Sequence, residues 1–336
     1  MNYRTLGHTD IRVSEICLGG MMLTPDPLWG PQDLAQSTAA IHAALDLGVN
    51  FFDTAEGYAA GDSETLLGKT LASRRSSVVI ATKVSQSNLL PDELRLSCEQ
   101  SLRRLNTDYI DLYQVHWPNP AVPLADTLGA MSELQRRGKI RAIGVSNFGP
   151  GYLSDALALA PVQSDQIPYS LLWRPVEHTL QPFCRDRLVS ILCYSPLCQG
   201  LLTGKFASPD SVPTARTRTR LFSGSRPTSR HGEPGCESET FAAISEIRAI
   251  CAELNLPMEA VALAWLLARP AVAAVIAGVR TPSQVRANVR ASELSLAPTV
   301  VDRLARATDP VKALLGSNVD PWQHLSRLDK PSEVSR

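Results

Sequence analysis

Short apolar runs alternate along the chain with longer segments whose apolar residues recur at helical spacing. Phe51 and Phe52 lead into Asp53 as the end of a buried parallel strand, since both faces of such a strand need apolar cover. The run 16–20 is a short buried strand ending in Gly19 and Gly20, which let a backbone approach a ligand closely. Further strands are predicted at 78–83, 109–116, 140–145, 162–166 (the weakest), 188–193 and 273–277. Between them the spacing predicts a helix over 34–47 stopped by Gly48, and a second capped by Ser63 with Leu66, Leu67 and Leu71. Pro91 opens a third, in which Leu94, Cys98, Leu102 and Leu105 share a face. It ends at Asn106, a residue that tolerates the left-handed conformation. Another helix closes at Gly138, and two more follow the last strand. Residues 3–6 and 11–16 flank Gly7-His8-Thr9-Asp10 as a hairpin ahead of the main fold.

Eight strands alternating with helices predict an α/β fold of one domain over 1–336. It is a closed (β/α)8 TIM barrel with an N-terminal β-hairpin and extra C-terminal helices. A doubly wound sheet is disfavoured because no G-x-G-x-x-G follows the first strand. Gly68-Lys69-Thr70 ends a segment whose first glycine lies too far upstream for a phosphate loop, so it belongs to a helix. One stretch breaks the rhythm. Residues 205–238 are rich in Arg, Ser, Thr, Pro and Gly and read as a solvated, mobile loop insertion; the functional alternative is a lid over an anionic ligand. From Pro310 to Arg336 the chain reads as an irregular tail.

Composition narrows the partners. Formal net charge is zero, which argues against nucleic acid or a membrane surface. The most apolar segment, 261–279, is interrupted by Arg269-Pro270, so no membrane span is expected. Seven cysteines without a C-x-x-C pair fit reduced thiols in a cytoplasmic protein, and no histidine pair has metal-ligand spacing.

The polar residues of interest sit at strand ends: Asp53, then Tyr58 five residues on, Lys83 and His116. Each alone has a dull explanation as a turn former, a solvated lysine or a structural histidine. In a barrel, however, the C-terminal strand ends converge. Together the four make a proton-transfer site. A phenol is a poor acid near neutrality, and a neighbouring ammonium lowers its pKa. Lys83 can do this for Tyr58, Asp53 can hold Lys83, and His116 can donate a hydrogen bond to a carbonyl oxygen as charge builds there. Such a site protonates oxygen but supplies no electron pair to carbon, so a separate hydride donor is implied.

At these residues the sequence resembles the aldo-keto reductases, from the hairpin to about Ala291. The motifs are Asp53-Thr54-Ala55-Glu56-Gly57-Tyr58, Ala81-Thr82-Lys83, Asp108 through His116, Gly144-Val145-Ser146-Asn147, Tyr194-Ser195-Pro196-Leu197 and Gly200 through Lys205. The branch it is similar to is the bacterial one that also resembles potassium-channel beta subunits. The resemblance implies reduction of a small-molecule carbonyl by NADPH, with Tyr58 as proton donor, Lys83 its activator, Asp53 the partner of Lys83, and His116 orienting the carbonyl. It also implies that Ser146, Asn147 and Gln166 hold the nicotinamide amide, that Tyr194 stacks on its ring, and that Ser195, Leu197 and Lys205 face the pyrophosphate. Gly20, Met21, Pro196, Gln199 and Gly278 complete the candidate cofactor contacts. Ala59 stands where relatives often carry glycine.

The adenosine end has its own physical signal. Thr281-Pro282-Ser283-Gln284 offers a cap, a proline at the first helical position, and Gln three after the cap. That puts free N–H groups beside Arg280, a grip for a 2′-phosphate. Gln284 and Asn288, four apart, share a face suited to adenine. Expected pocket walls are Met21, Met22, Trp29, Trp117 and Trp173 with the Arg-rich insertion. Three other functions stay open: a sugar dehydrogenase running in the oxidative direction, a cofactor-sensing regulatory subunit, and a lysine Schiff-base aldolase at Lys83.

Overall fold

A computed structural model of the chain describes residues 1–26 and 29–329. Strands β1 (Tyr3–Thr5) and β2 (Arg12–Ser14) pair antiparallel. Their turn is not a detached preface: Leu6, Ile11 and Val13 are buried against Cys17, Phe51, Val79 and Leu112, so the hairpin floors the barrel. Gly7, at φ +52°, sits where a Cβ would stand 2.7 Å from the Gln163 carbonyl oxygen.

The barrel follows as β3 (Ile16–Gly19), α1 (Leu34–Asp46), β4 (Phe51–Asp53), α2 (Asp62–Leu71), β5 (Val79–Val84) and α3 (Pro91–Arg104). Next come β6 (Ile110–Val115), α4 (Leu124–Arg136), β7 (Ile140–Ser146), α5 (Pro150–Leu159), β8 (Val162–Pro168), α6 (Leu180–Asp186) and β9 (Ser190–Tyr194). Two helices, α7 (Glu237–Leu254) and α8 (Met258–Leu267), precede β10 (Val272–Gly278); α9 (Pro282–Val289) and α10 (Pro298–Leu315) end the regular structure. Eight parallel strands close in the order β10-β3-β4-β5-β6-β7-β8-β9, with Val275 opposite Ile16 at the seam. The expected (β/α)8 barrel with its N-terminal hairpin is the observed fold.

Strand residues alternate between two cores. Phe51, Ala81, Leu112 and Leu192 fill the interior, while Phe52, Ile80, Tyr113 and Ile191 pack under the helices. Among the described residues no single helix is long and apolar enough to cross a membrane.

Four local readings change. Ser63 does not cap α2: Gly61, at φ 98°, does, and Ser63 Oγ instead donates to the Gly20 carbonyl at 3.0 Å. The expected irregular tail begins later, because α10 runs through Pro310 to Leu315. Leu304, Ala307, Val311 and Leu315 are buried on one face of α10, and that burial outweighs a proline cost of about 3 kcal/mol. Residues 330–336 of that tail lie outside the described set.

Nor is the 205–238 insertion a solvated loop. Thr217, Thr219, Arg220, Leu221, Phe222 and His231 are buried. Two of its arginines find partners at hand: Arg220 with Glu233 at 2.5 Å, Arg226 with Glu237 at 2.6 Å. Arg220 also donates to the carbonyls of Leu315 and Asn318, tying the insertion to the segment after α10. Finally, α7 begins at Glu237, so the insertion's last residues are already helical.

Candidate active site

The two-residue period that fills the barrel also aims its chemistry. Asp53 follows Phe51 by two, Lys83 follows Ala81, Gln114 and then His116 follow Leu112, and Tyr194 follows Leu192, so all five share the interior face. Lys83 is fully buried and Asp53 is 2% exposed. The Lys83 ammonium donates to Asp53 Oδ1 at 2.7 Å, to the Thr54 carbonyl at 2.8 Å and to the Tyr58 hydroxyl at 3.3 Å. Its three N–H donors are thus all engaged. The Tyr58 and His116 rings meet edge to face, centroids 5.9 Å apart.

Electrostatics divide the labour. Burial works against the Lys83 charge, but Asp53 and Tyr58 outweigh it and raise its pKa, so the ammonium stays charged. Burial raises the Tyr58 pKa and Lys83 only partly offsets it. The expected net lowering of the phenol is therefore not found: the hydroxyl is held protonated, with a cation beside it to stabilise the phenolate once the proton leaves. Burial first, then Lys83, pushes His116 down to about 3, which keeps the imidazole neutral.

The loop after Tyr58 is under strain. Ala59 and Ala60 both lie in the left-handed region, at φ 47° and 53°. For a non-glycine residue this costs roughly 1–2 kcal/mol each. This is the local consequence of alanine at 59, where relatives often carry glycine.

Around this centre the other candidates fall into three groups. Ser146 ends β7 and Asn147 follows it beside His116: Asn147 Nδ2 donates to the His116 carbonyl at 3.0 Å, and its Oδ1 accepts from the Tyr194 hydroxyl at 2.8 Å. Gln166 Nε2 donates to Asp53 Oδ2 at 2.8 Å, so its amide is joined to the acid as well as placed near Ser146. Gly20 sits where a Cβ would be 2.7 Å from both the Asp53 carbonyl and Ser63 Oγ, which is why this turn lies so close to the acid.

In the second group, Ser195, Cys198 and Gln199 adopt positive φ and fold a tight turn after β9. Lys205 and Arg216 flank Gly200: a Cβ there would be 3.3 Å from Lys205 Nζ and 3.4 Å from an Arg216 nitrogen. Burial and Arg216 together lower the Lys205 pKa. Two adjacent cations over a bare backbone suit a pyrophosphate.

The third group is the α9 end. Thr281 caps the helix, its side chain accepting from the Gln284 N–H, and Gln284 Oε1 accepts from the Arg280 N–H at 2.7 Å. Arg280 also donates to the Trp29 carbonyl, while its Nε is buried and unpartnered. Gln284 is exposed but Asn288 is buried, so the two do not present one open face. A bare cation pair, an orphaned guanidinium N–H and a helix N-terminus along one rim fit a dinucleotide with phosphates.

Two participants were not anticipated. Gln114 Nε2 lies 3.4 Å from Asp53 Oδ2, and its place two before His116 was the available signal. Trp322, from the segment after α10, stacks on Tyr194 with centroids 6.2 Å apart and planes 8° apart, and lies 6.0 Å from Trp117. Nothing periodic in the tail marks it.

Barrel, strand-end tetrad and phosphate rim together describe a reductase of carbonyl compounds, and the sequence comparisons agree. Residues 15–309 match the Aldo/keto reductase family, and the chain belongs to that family of oxidoreductases. It is 32% identical over 330 residues to the NADH-specific methylglyoxal reductase of Escherichia coli (strain K12), covering 90% of this chain and 98% of that one. The glycerol dehydrogenase of Gluconobacter oxydans superposes with a TM-score of 0.78 at 30% identity, over 95% of this chain and 98% of that one. An aldo/keto reductase from Klebsiella pneumoniae in complex with NADP and acetate does so with a TM-score of 0.70 at 27% identity, over 88% and 91%.

Proposed function

We propose that this protein reduces aldehydes or ketones to alcohols with NADPH, and that Tyr58 delivers the proton. The observation that carries the reading is the fully buried Lys83 hydrogen-bonded at once to Asp53 and to Tyr58. A lysine so placed is costly unless its charge serves a neighbour. A reduced nicotinamide bound there would supply the hydride for the carbonyl carbon. The Tyr58 O–H bond breaks as the proton passes to the carbonyl oxygen, and the phenolate is stabilised by Lys83, which Asp53 holds in place. His116, neutral, donates to the same oxygen and fixes its position. Ser146, Asn147 and Gln166 would orient the nicotinamide amide; Gln166 Nε2 is shared between Asp53 at 2.8 Å and Gln114 Oε1 at 3.4 Å, which leaves its side-chain carbonyl for that purpose.

Tyr194 would pack against the nicotinamide ring, Lys205 and Arg216 would hold the pyrophosphate, and Arg280 would hold the 2′-phosphate. The unpartnered Arg280 Nε supports NADPH over NADH. The Escherichia coli relative is NADH-specific and the Klebsiella neighbour binds NADP, so the preference belongs to this rim rather than to the fold. The same groups run the oxidation by microscopic reversibility, and the likeness to a glycerol dehydrogenase favours keeping that direction as a second reading.

The test is nicotinamide oxidation with a panel of aromatic and short aliphatic aldehydes, for the wild type and Tyr58→Phe. NADPH consumption by the wild type alone supports the reading. Equal rates in both remove Tyr58 from the mechanism. Tight NADPH binding without turnover in either direction replaces it with the cofactor-sensing role. Arg280→Met is expected to erase the preference for NADPH over NADH while sparing the NADH rate.

A further inference from the structure

The insertion and the segment after α10 are joined through Arg220, and of the insertion's five arginines Arg216, Arg218 and Arg230 make no ion pair among the described residues. Arg220 and Arg226 are each paired with a carboxylate. Arg218 is half-buried. Its Nε is buried and has no hydrogen-bond partner. Its guanidinium lies 5.8 Å from the Trp322 ring, the ring that stacks on Tyr194. Burial first, and then the charge of Arg230, lowers its pKa against a smaller opposing pull from Asp26. That cation is therefore held in a place that disfavours it, with no ion pair among the described residues.

It is accompanied by two further donors. A small cavity of about 20 Å³ is lined by Trp173, Tyr194, Gln199, Thr219 and Trp322, among others. The Nε1 atoms of Trp173 and Trp322 are both buried without a partner, and Trp173 is only 3% exposed. Buried N–H groups are nearly always satisfied, so two orphaned indole donors lining one cavity, with an orphaned guanidinium N–H beside the Trp322 ring, call for an acceptor supplied from outside.

We infer that the carbonyl substrate carries an acidic group, carboxylate or phosphate, bound by Arg218 with the indole N–H groups of Trp173 and Trp322. This rests on the reductase reading above and assigns it a substrate class. Arg218 and Tyr194 both lie within about 6 Å of the Trp322 ring, which links the anion site to the residues at the end of β9. A guanidinium suits either anion, because its donors match two oxygens at once.

Matched substrate pairs test it: 4-carboxybenzaldehyde against benzaldehyde, and glyceraldehyde 3-phosphate against glyceraldehyde, each with wild type, Arg218→Met and Arg218→Lys. The wild type is expected to prefer the acidic member of at least one pair by about tenfold or more in kcat/KM, the scale of one charged hydrogen bond. Which pair responds distinguishes carboxylate from phosphate. Arg218→Met removes the preference through KM and leaves benzaldehyde turnover and NADPH affinity within about twofold; Arg218→Lys keeps part of it.

Binding is read separately by quenching of tryptophan fluorescence with terephthalate or glycerol 3-phosphate, which needs no turnover. Weaker binding to Arg218→Met than to wild type supports the site even if every aldehyde proves inert, in which case only the reductase reading falls. The inference is overturned if neither anion binds more weakly to Arg218→Met, or if that variant loses NADPH affinity instead.

Discussion

Replacing Lys83 by methionine separates what this residue does for stability from what it does for chemistry. The side chain keeps its length and loses its charge, so Asp53 is left as a buried carboxylate at 2% exposure. Breaking one side of a buried ion pair typically costs about 3–5 kcal/mol. Asp53 Oδ2 keeps the Gln166 bond at 2.8 Å and the longer Gln114 contact at 3.4 Å, which points to the lower end, about 3 kcal/mol. For 336 residues the unfolding entropy is roughly 0.7 kcal/mol/K, so Tm should fall by about 4 °C. Adding Asp53→Asn removes the stranded charge, and the double variant should regain more than half of that loss. Both variants should reduce aldehydes about 10²–10⁴-fold more slowly. Calorimetry on the wild type, both single variants and the double variant, beside nicotinamide oxidation on the same samples, completes the cycle. A double variant no more stable than Lys83→Met would refute the stranded-charge argument, and full activity in Lys83→Met would refute the role given to the ammonium.

Burial alone would raise Glu177, but Arg174, Lys312 and Tyr169 hold it down to about 2 from 4.5. The stability it contributes, about 3 kcal/mol, is present above pH 4.5 and lost as the pH falls toward 2, so Glu177→Gln should flatten the acid limb of a stability–pH curve and lower Tm at neutrality. Gly20→Ala would press a methyl against the Asp53 carbonyl and Ser63 Oγ; we expect about 1–3 kcal/mol of destabilisation and reduced kcat/KM, checked by urea unfolding and steady-state rates. Arg220→Met should free residues 316–329 from the insertion, exposing them to limited proteolysis under conditions where the wild type resists.

The barrel was legible because its strands, buried on both faces, are short apolar runs, and because Gly48, Asn106 and Gly138 mark helix ends with positive φ. Asp53, Lys83 and His116 could be read as one site since each falls on the same two-residue period at a strand end. What stayed hidden depends on contacts remote in sequence. Ser63 looks like a cap, yet its hydroxyl is claimed by Gly20, 43 residues away. Pro310 looks like a stop until the apolar face of α10 is seen in place. The arginines of the insertion look solvated until Arg220 is found against Glu233 and the backbone near Leu315. Composition cannot tell a paired arginine from a free one, and the contrast between Arg218 and Arg220 is a matter of geometry alone.

All seven cysteines are buried as free thiols. Burial raises the pKa of each, with Cys17 inside the barrel and Cys184 on α6 pushed well above the usual value. The reactive form of a cysteine is the thiolate, so the folded chain should be nearly silent toward alkylating reagents near neutral pH. Each thiol that does react then records an opening of the region around it. Cys17 and Cys193 in the barrel, Cys98 on α3, Cys184 on α6 and Cys251 on α7 form a set of built-in clocks. Mass-resolved labelling over time would rank which parts of the barrel breathe first, with no probe engineered into it.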